Sequence, residues 1–247
     1  MRLAVTSLAI WLACCGATGA PPSNASGGTF SSDHFLFHYT PLDAGNIAGI
    51  VAAAERDYTR VLADLGIESM PRVTVTFYTD HAVLEAATRA QAGVVPPWAA
   101  GLVTSSSEIH LMSPNSPAWA PYSRMLSHLV HEFAHCVTLR ANPRIANNPR
   151  WLWESVAIYE SGQSVDLRGV SYMAALQPPA FASLNTLDNT LVYDVGYSIA
   201  EFVVSRWSRR ALADLVAANG DSSAALGVSI DDFERQWFAF ARQRYGL

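Results

Sequence analysis

Apolar residues change their spacing from one segment of this chain to the next, and the spacings predict its elements. Phe35-Leu36-Phe37-His38-Tyr39 is a short apolar and aromatic run that reads as a strand. Residues 43–65 carry Ile47, Ile50, Val51, Ala54, Tyr58, Val61 and Leu62 on one helical stripe. Residues 72–78 alternate in the β manner, a short helix is expected at 81–91, and strand-like pieces fill 102–112, the last being Glu108 to Met112. From 121 to 139 the period is helical again, with Met125, Leu129, Phe133 and Val137 flanked by Leu126, Val130 and Ala134. An apolar arc that wide predicts a largely buried helix. Further helices are predicted at 150–160, at 191–207 with Val195, Ile199, Phe202 and Val203 inward, and from Ser229, with Asp232 as cap partner and Phe233, Trp237 and Phe240 buried.

A mixed β and α half, 33–141, is thus followed by an all-helical half, 142–247. That order predicts an α+β domain over 33–247, with a cleft where its halves meet. No internal repeat interrupts it. The chain has 247 residues, half of them hydrophobic, enough for one domain with a substantial core. All 16 basic residues are Arg and they are scattered over a chain of net charge −5, so no basic stripe exists to track a nucleic acid.

The N-terminus predicts export. Met1-Arg2, the apolar run Leu3–Cys15 and the small residues Gly16–Ala20 describe a signal peptide over 1–20, hence a secreted or periplasmic protein. The run is too short for a transmembrane helix. Residues 21–32 read as a flexible linker. Cys14 and Cys15 each fit half of a lipoprotein signal: Ala13 is small but Trp11 is wrong for Cys14, and Leu12 fits Cys15 but Cys14 precedes it. A lipid anchor at either is an open alternative. With both removed, Cys136 stands alone, no intrachain disulfide can form, and it reads as a small buried hydrophobe.

The chemistry concentrates in His131-Glu132-Phe133-Ala134-His135, an H-E-x-x-H motif inside the most apolar helix. Helical residues four apart lie about 40° apart around the axis, so both imidazoles leave one face and can bind one ion. Glu132, offset by one position, can reach water at the metal without ligating. A catalytic zinc site needs a third protein ligand and one open position. Eighteen residues separate His135 from Glu154, which lies within Arg150-Trp151-Leu152-Trp153-Glu154-Ser155-Val156-Ala157. A carboxylate in such apolar company needs a partner, and a cation would be one.

H-E-x-x-H with eighteen residues between it and the Glu of a W-L-x-E segment resembles the gluzincin zinc metallopeptidases, whose catalytic domain is thermolysin-like. The likeness is above all to the bacterial peptidase MA-like proteins and, more distantly, to the M1 aminopeptidases. The resemblance implies a Zn²⁺ ion held by His131, His135 and Glu154, with Glu132 as general base. It also implies a peptide or protein substrate. Ser155 departs from it, standing where those families usually have Gly. Asp194-Val195-Gly196-Tyr197-Ser198-Ile199-Ala200 is similar to the stretch that supplies their oxyanion-binding tyrosine, which implies Tyr197; Tyr193, one turn earlier, competes. The resemblance further places the strand Glu108–Met112 along the cleft, pairing with extended substrate. No Gly-x-Met-Glu-Asn segment precedes His131, so an endopeptidase is preferred over an aminopeptidase.

A non-catalytic zinc-binding module keeping this fold is the alternative; its usual sign, a lost Glu132 or ligand, is absent. The remaining titratable residues read as peripheral. His128 reads as a surface residue, with a place behind the metal ligands as the alternative; Glu160 is expected at the surface, and His110, which could face the cleft, is left open.

Overall fold

Alternating β-branched and aromatic residues build a five-stranded sheet from β1 (Gly28–Ser31), β2 (Phe35–Tyr39), β3 (Val73–Tyr78), β4 (Gly101–Ser105) and β5 (Glu108–Met112). The computed structural model describes residues 27–119, 121–174, 179–187 and 189–247. The strand order is β1-β2-β3-β5-β4. The two inner pairings, β2–β3 and β3–β5, are parallel; both edge strands pair antiparallel. Helices α1 (Ile47–Asp64) and α2 (His81–Ala92) follow β2 and β3, as parallel neighbours require.

One face of the sheet carries Phe35, Phe37, Val75, Ile109 and Leu111, all buried, against α1 and α3 (Tyr122–Ala141). Phe35 meets the rings of Tyr58 and Phe133 at 5.8 and 5.2 Å, so the sheet, α1 and the motif helix share one core. The helical half follows as α4 (Arg150–Glu160), α5 (Phe181–Leu184), α6 (Leu191–Arg206), α7 (Arg209–Ala217), α8 (Ser222–Leu226) and α9 (Ile230–Tyr245). Trp151, Phe181, Phe202, Phe233 and Trp237 form its aromatic core. Fully burying each such ring contributes roughly 2–3 kcal/mol. Ser229 Oγ accepts from the Asp232 amide and caps α9, as its sequence predicts.

Helices α4 and α6 pack closely because Gly196 has no side chain. A Cβ there would lie 2.8 Å from Ile158 Cδ1 and 3.3 Å from the Ser155 Cα. Ser155 is therefore tolerated by a glycine on the partner helix, and its Oγ donates back to the Trp151 carbonyl at 2.5 Å.

The architecture is mixed α/β with a mixed sheet, as the sequence pattern predicts in outline. Two readings are corrected. Residues 28–31, read as linker, form β1, because Gly28 and Phe30 pair in register with Tyr39 and Phe37. And β5 has no free edge with which to pair with extended substrate: β3 and β4 flank it on both sides, leaving β4 as the edge strand at that end of the sheet. The segment 102–112 is a hairpin, and its first strand takes the outside. Residues 1–20, with Cys14 and Cys15, and residues 21–26 lie outside the described residues. No described helix is long and apolar enough to cross a membrane.

Candidate metal centre

Helices α3 and α4 pack against one another and each contributes one face to a shared point. From α3 come His131 and His135, one turn apart, with ring centroids 4.7 Å apart. From α4 comes Glu154, whose Oε2 lies 3.4 Å from His131 Nε2 and 3.8 Å from His135 Nε2. The three ligand atoms all lie within 4.8 Å of one another, and all three residues are buried. None of these three atoms makes a hydrogen bond. Leaving buried polar atoms unpaired costs about 1–3 kcal/mol each. A proton shared between His131 and Glu154 would satisfy one pair and leave His135 Nε2 with nothing. One cation satisfies all three, so the group can hold a metal ion.

The surroundings fix the donors. Gln163 Oε1 lies 3.0 Å from His131 Nδ1 and can only accept, which assigns the proton to Nδ1 and leaves the Nε2 lone pair for the metal. His135 is held by stacking on Trp153, 4.2 Å between centroids and 8° between planes. Burial, then the charge of His131, holds its pKa well below the ordinary histidine value, so it is a neutral donor. Burial pulls His131 down as well, but Glu154, Glu132 and Gln163 together raise it.

Glu132 is fully buried beside the triad. The edge strand β4 passes directly over it: a Cβ on Gly101 would come 3.2 Å from Glu132 Oε1 and 2.5 Å from Leu111 Cδ1. The tyrosine at the triad is Tyr193, whose hydroxyl donates towards Glu154 Oε1 at 3.4 Å. Burial first, then the Glu154 charge, pushes its phenol well above the ordinary range, so it stays protonated and a donor. Tyr197, the residue implied by the resemblance, instead packs against Tyr159 at 5.3 Å. Trp98 meets the Tyr193 ring edge-on at 6.4 Å, and both are only partly buried, unlike the triad beneath.

Two other readings change, and the place of His110, left open by the sequence, is found. His128 is not at the surface: it is 3% exposed beside His131, and burial, with the charges of His131 and Arg124, presses its pKa to about 3. Glu160 is 3% exposed and receives Arg60 Nη1 at 2.6 Å. His110 is in the core on the sheet face opposite Glu132, taking the Tyr78 hydroxyl on Nδ1 at 2.8 Å and donating from Nε2 to Thr104 at 3.2 Å. Sequence reasoning missed Gln163, Trp153 and Gly101 as parts of the site. Only Trp153 carried a signal, its place beside Glu154.

A cavity of about 470 Å³ bounded by Asn148, Trp151, Phe181 and Asn219 contains none of the triad. Its polar walls cap helices and brace turns: Asn219 accepts from Asn142, and Asp221 caps α8. No protein-family model matches the chain, and a search of the curated proteins finds no match.

Proposed function

We propose that the protein is a zinc-dependent metallopeptidase of gluzincin type, acting outside the cytoplasm and cutting within peptide chains. The observation that carries this reading is the convergence of His131 Nε2, His135 Nε2 and Glu154 Oε2, three buried atoms without hydrogen bonds. Two imidazoles and one carboxylate are the donor set of catalytic zinc, and three protein ligands leave one position open. A zinc ion there would polarise a peptide carbonyl and acidify water.

The chain's own residues then divide the work. Glu132, beside the ligands and shielded from solvent, takes the proton released by attacking water and passes it to the leaving amine. The Tyr193 hydroxyl, already at Glu154, takes the role the resemblance gave to Tyr197 and donates to the developing oxyanion. The open edge of β4, with Gly101 over Glu132, offers backbone groups to an extended peptide. Export follows from the signal-peptide pattern over residues 1–20.

One observation favours a second reading. All four residues of the centre are at most 1% exposed, as in a metal site that serves only structure. Structural zinc sites, however, close with four protein ligands, and among the described residues three converge. The two readings part on Glu132→Gln. Zinc-loaded wild-type protein should hydrolyse casein or a mixed peptide library, and the variant should lose about a hundredfold or more while keeping its zinc. An inactive wild type with full zinc content supports the non-catalytic module. Activity that survives the substitution removes Glu132 from the mechanism.

A further inference from the structure

Arg150 is the one charged residue at this centre with no role so far. It lies one turn before Glu154 on the same face of α4 and is fully buried. A buried guanidinium is costly unless it is paired or fully hydrogen-bonded. Here Nη1 donates to the carbonyls of Leu184, Thr186 and Asn189 at 3.3, 3.2 and 2.8 Å. Nε and Nη2 have no hydrogen-bond partner among the described residues. The cation instead sits 5.1 Å from the centroid of the Tyr193 ring.

These contacts meet at one place. Asn189 also receives the Leu191 amide on its Oδ1 at 3.0 Å, and Thr190 receives the Tyr193 amide at 3.0 Å. Arg150 therefore holds the turn that starts α6 and the ring face of the tyrosine two residues further on. With the backbone and the ring both held, the Tyr193 hydroxyl lies towards Glu154.

We propose that Arg150 is the positioning residue for Tyr193, setting its hydroxyl at the metal triad. The proposal rests on the peptidase reading for its kinetic consequence, but its structural consequence does not. Arg150 acts through Tyr193, so the two residues must be coupled rather than additive.

The test is a double-mutant cycle with Arg150→Met, Tyr193→Phe and the pair together, each loaded with zinc and checked for metal content. Tyr193→Phe should lower kcat about a hundredfold with little change in KM. Arg150→Met should lower kcat by roughly tenfold or more, with zinc still bound and KM within a few-fold, and the double variant should be no slower than Tyr193→Phe alone. Losses that multiply would overturn the proposal, because an arginine that merely braced the fold would slow both backgrounds alike. If Arg150→Met does not fold, Arg150→Lys takes its place in the cycle; it keeps the charge with fewer donors, and the same coupling is required of it.

A crystal structure of the metal-free arginine variant gives a second readout that needs no activity. The 3.4 Å contact from Tyr193 to Glu154 should open by more than about 1 Å in an otherwise unchanged fold. A hydroxyl that stays in place overturns the proposal. An inactive wild type with a displaced hydroxyl in the variant overturns the peptidase reading alone.

Discussion

Replacing Glu160 by Gln should flatten the pH dependence of stability. Glu160 ends α4, with its side chain out of solvent and Arg60 of α1 bound to it through Nη1 at 2.6 Å and to its carbonyl through Nη2 at 2.7 Å. Burial, then the charge of nearby Asp64, raises its pKa from an ordinary 4.5 to about 7, against the pull of Arg60 and Arg209. A raised acid binds its proton more tightly in the folded state. Its favourable contribution is thus complete below pH 4.5 and lost as pH rises through about 7. A shift of about 2.5 units at about 1.4 kcal/mol each is roughly 3 kcal/mol. Glutamine keeps the oxygen that accepts from Arg60 and never ionises. Urea denaturation at pH 5, 6, 7 and 8 should find the variant gaining on the wild type by roughly 2–3 kcal/mol across the series, most of it between pH 5 and 7. A constant difference at every pH, or a wild type that gains on the variant as pH rises, would refute the argument.

Metal should stabilise the fold through the same triad. Zinc at a hundred times its dissociation constant adds about 2.7 kcal/mol, or roughly 5–10 °C in Tm for a chain of this size. Calorimetry of Glu154→Ala should find most of that shift gone; an undiminished shift places the zinc elsewhere. Gln163→Leu should weaken zinc binding about 10–100-fold, measured by competition with a chelating dye, because His131 loses the acceptor that fixes its tautomer. Affinity unchanged by that substitution denies Gln163 its part.

The three residues that could hold a metal were legible because short stretches of sequence carry them. A turn of helix brings His131 and His135 together whatever surrounds it, and the wide apolar arc of α3 announces its burial. Glu154 was legible through its apolar neighbours and its spacing from His135. Tyr193 and Tyr197 lie a turn apart on α6, and the contacts that separate them, Trp98 and Arg150 on one side and Tyr159 on the other, come from distant segments. Glu160 was misread for the same reason: the guanidinium that pairs with it is a hundred residues earlier. His128 reads as a surface residue, but it lies buried beside His131. In the hairpin 101–112 both strands are equally apolar, so the pattern could not say which would take the edge.

The central claim is that two imidazoles and a carboxylate from neighbouring helices grip a single zinc ion. Anomalous diffraction from zinc-loaded crystals, collected on either side of the zinc absorption edge, tests it directly. The account predicts one strong peak per chain, about 2.0–2.2 Å from His131 Nε2, His135 Nε2 and Glu154 Oε2. An empty difference map at that point, or a peak held by other residues, would contradict it.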